Sequence, residues 1–240
     1  MSGPRLLDAG ETALVVEFGD RIDDAIAARV IALDRALSRD PAAGVRELVP
    51  TYRSLMIHYD PLAIGRDEVG RLVDRALQDE GAAQGPGRHW RIPACYDQAL
   101  GEDLAHVAAS TGLTAGQVVA LHSGARYRVV MYGFAPGWAY LSGLPAALSL
   151  PRRASPRDRI PAGSLIVAGG QAIVASGAMP SGWHILGRTA ERLFAPHRDP
   201  AFLLEVGDSL SFEAVDLATH ESLSARSAAG EVVARPVPAG

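Results

Sequence analysis

The chain has 240 residues, 48% hydrophobic and 21% charged, a balance that excludes a disordered polymer and leaves room for one large core or two small ones. A formal charge of −4 supplies no basic field for nucleic acid or an anionic membrane surface. All 23 basic residues are Arg, which excludes chemistry built on a P-loop lysine, a Schiff-base lysine or a biotinylated lysine, and a lone Cys, Cys95, excludes an internal disulfide and a multi-cysteine zinc cluster.

In chain order, residues 12–18 are rich in strand formers and end at Gly19-Asp20. Ile22, Ile26, Val30, Leu33 and Leu37 then recur at helical spacing behind Asp23, a capping residue, and Pro41 closes the segment. Val45–Val49 and Leu55–Tyr59 read as strands, and Val69, Leu72, Val73, Ala76 and Leu77 as the stripe of a second helix. The run Gly81–Gly87, all small residues, Gln and Pro, is the predicted linker, which sets an α+β domain over 1–82 and a second domain over 88–215. The second domain opens with a strand around Trp90–Cys95. Helices follow over 101–110 and 115–122, the latter with Thr114 and Gln117 in capping-box register. Beyond Arg126, strand-like runs at 127–132, 164–167, 172–175, 203–205 and 209–212 are separated by turns dense in Gly and Pro, which indicates a β-barrel or sandwich. Residues 216–240 show weak periodicity and are predicted to be a frayed tail. The N-terminus lacks a long apolar run behind a basic region, and no stretch reaches the ~18 apolar residues of a membrane helix, so a cytoplasmic protein is expected.

The sequence contains no Gly-x-Ser-x-Gly elbow, no phosphate loop of P-loop type and no His-Glu-x-x-His pair, and the seven His are scattered, so no metal site is predicted. Cys95 beside Ala94 in an apolar strand reads as a buried structural thiol. Chemistry concentrates in 133–188. Arg152, Arg153, Arg157 and Arg159 lie among Pro151, Pro156 and Pro161, a stiff cationic loop suited to a carboxylate or phosphate, or else a solvated turn paired with Asp158. Gly169, Gly170, Gly182 and Gly187 allow close backbone approach near Gln171, Trp183, His184 and Arg188. In strand alternation Trp183 and Ile185 point one way and His184 and Leu186 the other. Trp183 suits a core or a ligand wall, and His184 a structural or an acid–base role.

Taken in order, Pro50–Ser54 with Tyr59-Asp60-Pro61, Gly133–Leu141, Pro151–Ser164, Ala168–Gln171 and Gly182–Thr189 resemble the motifs of the subunit 1 family known as allophanate hydrolase subunit 1, KipI and 5-oxoprolinase subunit PxpB. The resemblance implies an α+β N-terminal domain followed by a mainly-β cyclophilin-like barrel of carboxyltransferase type. It implies a subunit 2 partner of PxpC/KipA type, a LamB/YcsF-type third subunit (PxpA), and ATP, with Mg, at the level of the complex, which opens 5-oxoproline to glutamate. A KipI-type inhibitor of a histidine kinase and a carboxyltransferase part of a biotin-dependent, urea carboxylase-like enzyme are the alternatives within the family. On this reading Gln171 and His184 orient the amide, Arg153, Arg157, Arg188 and Tyr140 hold the anion, and Arg53 and Trp138 face a partner or the other domain. Departures from the family pattern at 97–103, 138–139, 172–176 and 179–181 fall in turns expected to line the pocket.

Overall fold

The computed structural model describes residues 3–78 and 87–237; the predicted linker, apart from Gly87, and the last three residues of the predicted tail lie outside them. The chain divides into two compact units, Met1–Pro86 and Gly87–Gly240.

In the first unit, β1 (Arg5–Asp8), β2 (Ala13–Glu17), α1 (Asp24–Arg39), β3 (Val45–Pro50), β4 (Ser54–Tyr59) and α2 (Arg66–Gln78) follow one another. The strands form an antiparallel sheet in the order β1-β2-β4-β3. Alternate residues of β2 and β4 (Leu14, Val16, Leu55, Ile57, Tyr59) form one buried cluster with Val30 and Leu33 of α1 and Val69 and Val73 of α2. The Asp23 carboxylate accepts from the N–H groups of Ala25 and Ile26 at 2.9 and 3.2 Å, satisfying two of the donors that a helix start leaves open. Strand β1 escaped the periodicity reading because it is only four residues long and its side chains are largely exposed.

The second unit runs β5 (His89–Cys95), α3 (Leu104–Thr111), α4 (Ala115–Gly124), β6 (Tyr127–Tyr132), β7 (Ala139–Ser142), β8 (Arg157–Ile160), β9 (Ser164–Ala168), β10 (Gln171–Val174), β11 (Met179–Ser181), β12 (His184–Thr189), β13 (Ser209–Val215), α5 (Leu217–Ala228) and β14 (Arg235–Val237). Seven strands close a barrel in the order β12-β9-β10-β7-β6-β13-β5, and β5 returns to β12 through Arg188↔Cys95 and Thr189↔Ala94. Pairing is antiparallel around this ring except between β5 and β13. Alternate residues of all seven strands, among them Ile92, Tyr127, Leu141, Leu165, Val174, Leu186 and Leu210, fill the interior with Val107 of α3 and Val118 of α4. The Thr114–Gln117 capping box starts α4 as predicted, with Gln117 N–H donating to Thr114 Oγ1 at 3.2 Å and Thr114 N–H to Gln117 Oε1 at 2.8 Å.

Three expectations are corrected. Leu203–Glu205 is not a strand: only an isolated Phe194↔Phe202 bridge forms there, and the Gly207 turn, at φ +92°, ends the run. The first helix starts at Leu104 rather than 101, because Gly101 lies tight against β12: a Cβ there would stand 2.3 Å from the Leu186 carbonyl oxygen. The predicted tail carries a helix and a strand. Asp216 caps α5 through the Thr219 N–H at 2.8 Å, and β14 pairs with β5. Helix α5 has a weak apolar stripe because its buried positions are His220 and Ser227. No single helix among the described residues is long and apolar enough to cross a membrane.

Candidate ligand-binding site

Strands β9, β10 and β12 bury both faces. Their outward residues Ile166, Ile173 and Ile185 form a second cluster with Trp138, Ile160 and Trp183. The expected alternation of residues 183–186 is present: Trp183 and Ile185 lie in this outer cluster and Leu186 in the barrel interior. The arginine loop reaches this face because β8 pairs with β11, setting Ser181 opposite Arg157, and because the Arg153 N–H donates to the Gly182 carbonyl at 2.7 Å.

A hollow of about 220 Å³ opens there. Phe134, Trp138, Tyr140 and Trp183 form its aromatic wall, and Arg152 and Arg153 its cationic side. Phe134 meets Trp138 edge-on at 5.0 Å between ring centroids, and Tyr140 meets Trp183 at 6.2 Å. Phe134 holds φ at +67°, a left-handed conformation that costs a non-glycine residue about 1 kcal/mol, and the residue is 65% exposed. The indole N–H of Trp138 is buried and finds no acceptor among the described residues, a deficit of order 1–3 kcal/mol.

The electrostatics of the loop centre on Asp103, which is 3% exposed. Its carboxylate accepts from Arg153 Nη1 at 2.6 Å, from Arg157 Nη1 and Nη2 at 2.8 and 2.9 Å, and from the Ile185 N–H at 2.8 Å. Burial alone raises the pKa of this carboxyl, but the bonds from Arg157 and Ile185 and the charges of both arginines outweigh it and hold the group below the usual carboxylate range. Glu102 adds an ion pair with Arg157 at 3.3 Å and also acts on Arg188. Asp158, the carboxylate that sequence proximity would assign to the loop, forms no ion pair among the described residues.

The structure gathers some of the predicted residues and scatters others. Arg153, Tyr140 and Trp138 line the hollow, whereas Arg157, Gln171, His184 and Arg188 do not. Arg157 lies behind it, bound to Asp103. His184 is 4% exposed; its Nε2 donates to the Pro151 carbonyl at 3.0 Å, and its ring stacks on His106 of α3 at 5.3 Å. It supports the start of the arginine loop and is not placed to act on a ligand in the hollow. Gln171 pairs with the last residue of β9, Ala168, while Arg188 pairs with the first, Ser164, so about 13 Å of strand separates the two levels. A single hollow shared by Arg153, Arg157, Gln171 and Arg188 is therefore corrected. Trp138 is wall and core at 3% exposure, and Arg53 sits exposed in the β3–β4 turn of the first unit. No group of three or more His, Cys, Asp or Glu among the described residues is placed to hold a metal ion.

Sequence reasoning missed Asp103 and Phe134. For Asp103 the available signal was a carboxylate at a helix start; it makes no capping bond because the arginines take its oxygens. For Phe134 nothing in the sequence marks a phenylalanine with positive φ.

The model of the carboxyltransferase domain, subdomains C and D, matches residues 4–204. The chain belongs to this family. Among its relatives, the 5-oxoprolinase B subunit of Escherichia coli O157:H7 is 40% identical over 204 residues, covering 85% of this chain and 92% of that protein. The protein of the same name in Bacillus subtilis (strain 168) is 33% identical over 214 residues, covering 85% and 89%. Among solved structures, TTHA0988 superposes with a TM-score of 0.76 at 37% identity over 85% of this chain. The chain spans only 40% of the TTHA0988 chain.

Proposed function

We propose that this chain is the B component of a heteromeric 5-oxoprolinase, and that its aromatic hollow holds the cyclic amide while partner subunits supply the remaining chemistry. The observation that carries this reading is a small slot with indole and phenol walls and a guanidinium side, on a chain 40% identical to a 5-oxoprolinase component. A volume of about 220 Å³ falls below the ~300–1,000 Å³ of pockets that take drug-sized ligands, and suits a five-membered lactam bearing one carboxylate. Flat walls take the ring, and the cationic side takes the carboxylate.

Amide resonance makes the ring resistant to water. Transfer of the terminal phosphoryl group of ATP to the lactam oxygen turns that oxygen into a leaving group. Water then adds at the carbon, the carbon–nitrogen bond breaks with a proton passing to nitrogen to leave an acyl phosphate, and a second water attacks that carbonyl carbon and releases phosphate with the former lactam oxygen, giving glutamate. In this chain the hollow is lined by neither Lys nor His. ATP and Mg are therefore assigned to the partner subunits of PxpC/KipA and PxpA type. Ser181, in the lining, accepts the Trp183 N–H at 3.2 Å and is 8% exposed, a structural placement. This chain's part is to bind, orient and exclude water. The test is ADP release by the reconstituted three-component complex. Release is expected only with 5-oxoproline present and is expected to fall sharply in W183A; 5-oxoproline-independent release, or none, refutes the proposal.

A further inference from the structure

Resting on that reading, we infer that Arg152, and not Arg153, Arg157 or Arg188, is the residue that binds the carboxylate of the substrate. Arg153 and Arg157 both close on Asp103, and Glu102 completes a group of two cations and two carboxylates with no net charge. The Arg153 guanidinium has given Nη1 to Asp103 and Nε to the Ser155 carbonyl, at 2.6 and 3.4 Å. Binding a second carboxylate at Arg153 or Arg157 would set two like charges side by side around shared donors, at a site where one of them is already nearly sealed from water. Arg188 does not line the hollow, and its Nε is buried without an acceptor among the described residues.

Arg152 differs on each count. It lines the hollow, and it makes no ion pair with any carboxylate among the described residues. Its guanidinium carbon lies 5.9 Å from the centre of the Trp183 ring. Stacking occupies the flat face of a guanidinium and leaves its edge donors to form the fork that fits a carboxylate. Burial raises the pKa of the Tyr140 phenol on the aromatic wall, and the Arg152 charge acts against that rise. A ring lying against Trp183 and Tyr140 therefore presents a carboxylate substituent to the one cation of the lining that has no carboxylate partner among the described residues. Arg153 is a positioning residue: its N–H holds Gly182, and its side chain ties the loop to Asp103.

The experiment compares two ligands that differ only in the carboxylate. The reconstituted complex is assayed for 5-oxoproline turnover, with 2-pyrrolidinone, the same lactam ring without the carboxylate, as a competitive inhibitor. Loss of a charge-assisted contact in R152A is expected to raise KM for 5-oxoproline about 10- to 100-fold, with kcat changed little and the inhibition constant of 2-pyrrolidinone unchanged. R152K is expected to recover part of the loss. R153A is expected to weaken both ligands together and to lower the melting temperature, since it loosens the loop. The assignment is overturned if R152A leaves KM unaltered, or if it weakens 2-pyrrolidinone as much as 5-oxoproline. Wild-type turnover with an unaffected R152A refutes the assignment alone; a wild-type complex without 5-oxoproline turnover refutes the proposed function and the assignment with it.

Discussion

Replacing Asp103 by Ala or Asn tests the account of the arginine loop most directly. The carboxylate is 3% exposed and accepts four hydrogen bonds, three from guanidinium groups and one from the Ile185 N–H. Removing one partner of a buried pair costs about 3–5 kcal/mol when the survivors stay dry. The Arg153 and Arg157 side chains are 26% and 22% exposed, so water relieves part of the deficit and the expected loss lies near the lower bound, about 3 kcal/mol. For a unit spanning Gly87–Gly240, 1 kcal/mol corresponds to roughly 2–4 °C, giving a fall in Tm of about 6–12 °C. Asn keeps the shape but turns an amide donor toward a guanidinium, so D103N should not rescue D103A. Thermal unfolding followed by circular dichroism reads the effect, and a double-mutant cycle with R157A should show strong coupling. The sign of the pH dependence follows from the lowered pKa. The stabilisation is complete above the unfolded carboxyl value near ~3.9 and disappears as pH falls through the lower folded value, so the wild type should lose its advantage over D103N only in that acid range. A Tm change under about 2 °C at neutral pH would refute the reasoning.

His122 is buried in the barrel, where burial lowers its pKa to about 3 and the Tyr96 hydroxyl meets Nδ1 at 2.8 Å. Because the folded value is depressed, the unfolded chain takes up the proton first. Stability should decline as pH drops below ~6.5, by about 1.4 kcal/mol per unit, while nitrogen NMR shows the ring still neutral at pH 5. G101A should lower Tm by several degrees, since its Cβ would meet the Leu186 carbonyl oxygen at 2.3 Å, backbone that cannot swing aside. Glu191 accepts the N–H groups of Val233 and Ala234, both at 2.7 Å; in E191Q those two amides should exchange with deuterium at least tenfold faster, and unchanged protection would show that the contact holds nothing.

What the sequence revealed tracks the range of the interaction responsible. The Asp23 cap, the Thr114–Gln117 box and the runs that became β6, β9, β10 and β13 all depend on residues a few positions apart, and each leaves a periodic trace. The bonds from Asp103 to Arg153 and Arg157 span 50 and 54 residues, and no local pattern encodes them. The loop read as an anion-binding hand because four guanidinium groups were counted while the carboxylate that neutralises two of them lay far upstream. Helix α5 was overlooked for a different reason: its inward residues include His220 and Ser227, which any hydropathy scale assigns to solvent. The outward aromatic face was visible only as scattered Trp and Tyr until the closed ring of strands set Trp138, Tyr140 and Trp183 side by side.

Strand β5 joins β13 along its whole length on one flank, but β12 reaches the opposite flank at only two residue pairs, near Cys95. Of the remaining stretch, 89–93, its first three residues, 89–91, are hemmed by β14, a piece of chain three residues long. Trimming it would bare a row of amide and carbonyl groups able to recruit a stray strand from another molecule. Strand β14 thus covers an edge as well as extending the sheet, and its removal is expected to show first as strand-mediated self-association.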